Sequence, residues 1–538
     1  MNYPIVDREI CGYCGACISV CPSNAIELVD TYVRFKTQDS RLKTQDCLVS
    51  CVLGLEFSPC TGCLACVKVC PLGAISMLDT RANDARYSMS TSSIQHPASS
   101  ITPFFRLGGA ERGETSSNRK SKIKNQKFVD VLVIGGGPAG SIAARTAAQQ
   151  NVDVLMVEKR QEIGSPVRCA EGVSKRALAE LTELDPKWIS AEINGGRIHS
   201  PDGNFVTIDE PGAGLVLERK IFDRELAAQA ARSGAEVWVK ARAVDLIKEN
   251  GSIKGATICR PDGDYVIRAK VVIAADGVES QVGRWAGIDT TCKARDVDTC
   301  AQYLMTGLTD IDLNYCDFFL GHRIAPRGYA WIFPKGGDSA NVGIGIGGNV
   351  GGETAISYLN RFVEKEIRGD VGEKAWKRRS VGASVRPLVP SILSLVVGCV
   401  PVTGSPSDVV RDGFMIVGDA ARQNDPVSGG GIINSMIAGQ IAGEVAGQAI
   451  RNGDVSYAAL VEYERRWHRQ VGRTFPHLRR LREGILKFSD ETLNGIAEVL
   501  SQTSLSKLTL IDIFWTALKN DPKLLLELRH LIAIGWAQ

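Results

Sequence analysis

Two cysteine runs near the N-terminus leave this chain little freedom in how it begins. The first reads Cys11-x2-Cys14-x2-Cys17-x3-Cys21-Pro22, and the second reads Cys60-x2-Cys63-x2-Cys66-x3-Cys70-Pro71. Three thiolates at this spacing reach three corners of one [4Fe–4S] cluster, and the fourth ligates the other cluster in two-cluster ferredoxins. The loops between them must be tight and small, which Gly12, Gly15, Ala16, Gly62 and Ala65 satisfy. The spacing predicts one cluster on Cys11, Cys14, Cys17 and Cys70, and a second on Cys60, Cys63, Cys66 and Cys21. Structural zinc favours two separated cysteine pairs and fits less well. The runs belong to an internal repeat, CGYCGACISVCPSNAIEL against CTGCLACVKVCPLGAISM, which predicts a pseudo-twofold α+β unit over residues 1–78. Cys47 and Cys51 lie between the halves and read as loop or packing thiols.

Ten of the sixteen cysteines fall within the first 70 residues. Cluster ligands must stay reduced, which points to a cytoplasmic protein and not to a disulfide framework. The charged residues Asp7, Arg8 and Glu9 interrupt any secretory core, and no apolar stretch is long enough to span a bilayer, so a peripheral membrane contact is the most that is expected. A net charge of +3 over 538 residues gives no general attraction to nucleic acid. Residues 79–127 are rich in Ser, Thr, Asn, Arg and Gly and read as a linker. Its basic end, Arg119, Lys120, Lys122, Lys124 and Lys127, suits a solvated tether or a contact with an acidic ferredoxin or anionic lipid.

From Phe128 the pattern turns to βαβ. The apolar run FVDVLVI leads into Gly135-x-Gly137-x-Ala139-Gly140, an Ala-rich helix is expected from Ser141, and VDVLMVE closes the unit at Glu158. Gly135 permits the tight turn, Gly137 lets a pyrophosphate approach the backbone, and Gly140 lets helix pack on strand. A helix N-terminus offers free N–H groups to the phosphates, and Glu158 stands where a carboxylate accepts ribose hydroxyls. This motif alone does not separate FAD from NAD. Two later segments, AKVVIAADG ending at Asp276-Gly277 and GFMIVGDAA containing Gly418-Asp419, each follow an apolar strand. They resemble the second and third fingerprints of the FAD enzymes related to p-hydroxybenzoate hydroxylase. That resemblance implies FAD, with Asp419 bound to its ribityl or phosphate part and the loop through Gly430 and Gly431 under the flavin. No second dinucleotide unit for NADPH is visible, which fits a flavin reduced through iron–sulfur clusters.

The segment 128–490 resembles the geranylgeranyl reductase family. Tyr329-x-Trp331-x-Phe333-Pro334 followed by Gly343-x-Gly345 matches a family motif, and Arg168-Cys169-Ala170-Glu171-Gly172 matches the cysteine loop of its archaeal members. The resemblance implies an FAD-dependent oxidoreductase that saturates C=C bonds of isoprenoid lipids, digeranylgeranylglycerol lipids among them, with ferredoxin as donor in some members. A fused ferredoxin-like segment departs from the single-domain pattern and makes an intramolecular electron path plausible. An unactivated alkene needs a dry pocket and a positioned acid. Tyr329, Trp331 and Phe333 alternate along one strand face and suit a prenyl chain. Cys169 is expected near the flavin, as proton donor or shaper of the site, and Arg168 would favour its thiolate if close. Two other readings stay open at this point: a flavoprotein relaying electrons to a membrane quinone, and a non-catalytic electron carrier.

The expected fold is therefore mixed α/β and α+β. A Rossmann-type FAD domain covers 128–290 and 405–450, and an antiparallel substrate sheet covers 291–404. A helical C-terminal region, 451–538, carries basic residues and, beyond Leu505, a strongly apolar stretch suited to a lid or a membrane-facing surface.

Overall fold

The computed structural model describes residues 125–309, 311–368 and 390–501, together with the backbone of four short N-terminal strands. The eight expected cluster ligands, Cys47, Cys51, the basic run from Arg119 to Lys124 and the apolar stretch beyond Leu505 lie outside the described residues. The four strands form two antiparallel pairs: β1 (Asn2–Val6) with β4 (Ile75–Asp79), and β2 (Ile26–Val29) with β3 (Tyr32–Phe35). β2 and β4 begin at the same offset after the fourth cysteine of their runs, as the internal repeat requires.

The first large sheet is built on β5 (Asn125–Ile134), which starts slightly before the expected Phe128. Val131, Leu132 and Val133 are fully buried, so the strand is apolar on both faces, as a central parallel strand must be. β5 pairs in parallel with β6 (Val154–Val157), and helix α1 (Pro138–Ala148) makes the crossover. The helix begins at Pro138 and not at Ser141, because proline presets φ and needs no hydrogen-bond partner in the first turn. Helix α2 (Arg219–Arg232) follows later in the chain. β10 (Glu236–Trp238) extends the sheet on one side, and β13 (Gly263–Ala274), β12 (Ser252–Arg260) and β11 (Arg242–Glu249) extend it on the other. The short strands β19 (Val410–Arg411) and β20 (Phe414–Ile416) return to its centre through β13.

The second sheet has the order β18 (Ser391–Pro401), β14 (Val297–Thr306), β17 (Ala340–Gly347), β16 (Tyr329–Pro334), β15 (Tyr315–Phe319), β8 (Ile189–His199), β9 (Phe205–Leu217) and β7 (Gly172–Ser174). Its last three strands come from the stretch assigned by sequence to the FAD domain. The two sheets interleave along the chain: β8 joins β15 in parallel, pairing Gly195 with Tyr315 across more than a hundred residues. Contiguity in sequence therefore does not delimit the second sheet.

Helix α3 (Ile432–Arg451) lies against α1, and α4 (Glu462–Gln470), α5 (Phe475–Ile485) and α6 (Asp490–Ser501) follow it. A cluster of Ile142, Trp188, Leu217, Phe222, Ile432 and Met436 joins elements of the two sheets. No helix among the described residues is long and apolar enough to cross a membrane.

Candidate active site

A cavity of ≈ 710 Å³ runs from the glycine loop after β5 to the aromatic face of β16. At one end the backbone of Gly137 lines it, and a side chain there would meet no atom within 4 Å, so the space is open for a ligand to approach the main chain. Gly135, at φ +114, and Gly140 stand behind the wall: added Cβ atoms would lie 2.2 Å from the Ala275 carbonyl and 1.9 Å from the Gly135 carbonyl. Ala139 lines the cavity at the start of α1. Glu158 also lines it and accepts the N–H groups of Gly136 and Arg160, both at 2.9 Å. These bonds fix the carboxylate at the cavity wall.

Asp419, Gly430 and Gly431 line the same cavity where α3 begins. Burial pushes the Asp419 carboxyl up, and the amide of Asn424 at 3.0 Å and the charge of Arg219 only partly offset this. The Asn424 carbonyl oxygen is buried with no partner among the described residues, and it too lines the cavity. An open glycine cradle, a fixed carboxylate and an unsatisfied amide oxygen along one cleft fit the pyrophosphate, ribose and ribityl parts of FAD. Asp276 is placed differently. Its neighbours Ala275 and Gly277 line the cavity but it does not; its carboxylate accepts the Val282 N–H at 3.0 Å, at the start of the short helix Gln281–Trp285. Burial, more than nearby Glu279, raises its pKa to about 6.

At the other end Tyr329, Trp331 and Phe333 share a face, with Phe318 beside them at ring-centroid distances of 5.8 Å from Tyr329 and 5.3 Å from Phe333. The glycines of the motif explain themselves here. β16 and β17 pair Trp331 with Gly343, and a Cβ on Gly343 would lie 2.3 Å from the Trp331 ring. The indole thus lies on bare backbone, and its N–H donates to the Gln302 side chain at 2.9 Å. The Gln302 amide in turn donates to the Cys169 carbonyl at 3.1 Å, so the indole and the cysteine loop are held as one unit. The Tyr329 hydroxyl donates to the Ser428 carbonyl, and burial pushes its pKa up.

Cys169 and Arg168 both line the cavity. The loop that carries Cys169 is pinned by Glu171, a residue at φ 75 whose buried carboxylate meets Lys335 at 2.7 Å, the Asn341 amide at 2.8 Å and the Arg219 N–H at 3.0 Å. The Glu171 N–H donates to the Cys169 sulfur at 3.2 Å. The expectation of a thiolate favoured by Arg168 is not met. Burial pushes the Cys169 thiol up, and the cation that opposes burial is Arg219, from α2.

Sequence reasoning missed Arg219, Gln302, Lys335, and the pair Asp298–Arg482, of which Asp298 lines the cavity. Arg219, Gln302, Asp298 and Arg482 sit in no repeated or glycine-marked motif, Lys335 lies in the unassigned spacer between Pro334 and Gly343, and Asp298 and Arg482 lie 184 residues apart. His199 and His322 are paired elsewhere, with Asp317 at 2.7 Å and the Phe488 carbonyl at 2.8 Å. None of these four residues lines the cavity.

Comparison with known proteins agrees with this geometry. A model of FAD dependent oxidoreductases matches residues 130–328, a geranylgeranyl reductase catalytic domain matches 296–378, and a 4Fe-4S dicluster domain matches 10–74. A digeranylgeranylglycerophospholipid reductase of Methanosarcina acetivorans is 49% identical over 410 residues, covering 75% of this chain and 96% of the relative. This chain belongs to the geranylgeranyl reductase family. A second relative in that family, the digeranylgeranylglycerophospholipid reductase of Methanothrix thermoacetophila, is 47% identical over 75% of this chain and 99% of its own length. The crystal structure of a geranylgeranyl bacteriochlorophyll reductase-like protein from Thermoplasma acidophilum superposes with a TM-score of 0.68 at 38% identity, over 76% of this chain and all of the other. A p-nitrophenol 4-monooxygenase from Pseudomonas putida shares the fold at 15% identity and a TM-score of 0.54. As a family member the chain is an FAD-dependent oxidoreductase, and its N-terminal segment is of the two-cluster type.

Proposed function

We propose that this enzyme saturates C=C bonds in the geranylgeranyl chains of digeranylgeranyl glycerophospholipids. In this reading a low-potential donor such as ferredoxin loads the N-terminal clusters, which pass electrons to FAD. The observation that carries the reading is the single cavity joining the dinucleotide loop to the Tyr329–Trp331–Phe333 face.

FAD, when bound, supplies reducing equivalents to the alkene. Gly137, Ala139, Glu158, Arg168, Asp419, Gly430 and Gly431 would hold it, with Gly135 and Gly140 shaping the turn behind. The chain itself must keep water out, orient the alkene and deliver a proton. Phe318, Trp331 and Phe333 give a wall with no group that could compete for the alkene. Cys169, a protonated thiol at that wall, is the proton donor. The Tyr329 hydroxyl is engaged by Ser428, which suits it to closing the cavity. The substrate's remaining bulk points to a membrane surface: β18 lines the cavity through Val396–Val400, while its other end exposes Ile392, Leu393 and Leu395. Such an apolar tip continuous with the cavity wall suits a peripheral lipid contact.

The test is mass analysis of a digeranylgeranyl phospholipid after anaerobic incubation with the reduced enzyme. Stepwise gain of two hydrogens per double bond is expected. The quinone-relay alternative instead predicts rapid electron flow to quinone and an unchanged lipid.

A further inference from the structure

Arg482 lies on α5, outside every motif, yet its side chain is buried and its guanidinium meets three separate segments of the site. One terminal nitrogen donates to both oxygens of Asp298, at 2.7 and 2.8 Å, and to the Arg327 carbonyl at 3.1 Å. The other donates to the Pro426 carbonyl at 3.3 Å. Asp298 is part of the cavity wall on β14. Arg327 sits two residues before Tyr329, in a left-handed conformation at φ 63. Pro426 begins the loop that continues through Ser428 to Gly430 and Gly431. The Tyr329 hydroxyl donates to the Ser428 carbonyl within that loop. A single guanidinium therefore holds both sides of the Tyr329–Ser428 contact, while Asp298 pairs with its charge.

We propose that Arg482 is a positioning residue that holds the flavin-side loop 425–431 against Tyr329 and so sets the shape of the flavin site. The chemistry calls for arginine: its planar fork spreads donors over two terminal nitrogens, one for Asp298 and the Arg327 carbonyl and one for the Pro426 carbonyl, whereas lysine offers a compact point charge. A buried charge is tolerated because it is paired and its protons are taken up by carbonyls. A plain strut for the C-terminal helices would need none of this aim at two carbonyls that flank one tyrosine contact.

The test is a double-mutant cycle on FAD affinity in the full-length protein. Arg482→Lys and Tyr329→Phe should each weaken FAD binding by about 10-fold, the scale of one lost hydrogen bond to an ordered partner. If Arg482 acts through the Tyr329–Ser428 contact, the double variant should bind FAD no worse than the weaker single variant. Effects that multiply to about 100-fold would overturn the proposal, and so would unchanged FAD affinity in a folded Arg482→Lys protein. If the lysine variant does not fold, Asp298→Asn combined with Arg482→Gln removes both charges and strands neither, and its coupling to Tyr329→Phe is read in the same way. The inference rests on the reductase reading only for turnover. With prenyl lipid, Arg482→Lys should lower kcat and leave KM in place, and a rise in KM alone would count against it. FAD affinity needs no lipid, so failure of the reductase reading and failure of the positioning role are seen separately.

Discussion

Burial pushes the Cys169 thiol up, and the charge of Arg219, itself held by Asp223 through two hydrogen bonds of 2.6 and 2.8 Å, only partly offsets it. A thiol pushed above its ordinary value is a poor nucleophile at neutral pH but a usable proton donor. Alkylation of Cys169 by iodoacetamide, followed by peptide mapping, should be slow through neutral pH and rise only at a pH above that at which an ordinary thiol reacts. Fast labelling at pH 7 would mean a thiolate. Cys169→Ser should slow alkene saturation by about 10²-fold while flavin reduction continues. Asp276 makes a second case. Its folded pKa of about 6 exceeds the ordinary 3.8, so the native state holds the proton more tightly than the unfolded chain. Stability contributed by this group is present at low pH and is lost as pH rises through that window. Asp276→Asn keeps an acceptor for the Val282 N–H and removes the ionisation. It should raise the melting temperature at pH 7.5 and leave it nearly unchanged at pH 4. A loss of stability at pH 7.5, accompanied by loss of FAD, would instead make Asp276 a cofactor ligand.

Helices α1 and α3 meet through glycines. A Cβ at Gly443 would lie 2.6 Å from the Ala143 carbonyl, and one at Gly439 would lie 2.2 Å from the Ala139 carbonyl. Since the start of each helix lines the cofactor end of the cavity, their separation sets the cleft between Gly137 and Gly431. Gly443→Leu should cost about 1–3 kcal/mol through overpacking and should also weaken FAD binding. Thermal melts with and without added FAD check both, and a variant that melts lower but binds FAD normally would show that the helix contact does not shape the cleft. The same elements show what a sequence can and cannot reveal. The Gly135–Gly140 turn with its helix, and the strand of Tyr329, Trp331 and Phe333, were legible because each is local: a strand, its turn and its helix lie within a few residues of one another. The partnership of Gly343 with Trp331 was legible as a motif but explained only by the register between β16 and β17. Arg219, Gln302 and the pair Asp298–Arg482 were not legible, because their meaning is a meeting of distant segments that no periodicity encodes. The interleaving of the two sheets was hidden for the same reason.

At the scale of the molecule, the family relatives match three quarters of this chain and nearly all of themselves, while the dicluster match lies at residues 10–74. If that segment is the electron inlet to FAD, defects in the two parts should separate. Cys63→Ala should abolish flavin reduction by a reduced ferredoxin-type donor, yet flavin reduced chemically should still turn over lipid; equal loss in both assays would mean a general folding defect. In the proposed enzyme one cavity joins flavin to prenyl double bond. The most direct measurement mixes chemically reduced, FAD-loaded enzyme with a digeranylgeranyl phospholipid without oxygen, and follows flavin absorbance and lipid mass together. Flavin reoxidation is expected in step with the gain of two hydrogens per bond. Flavin that stays reduced while every prenyl double bond persists would contradict it.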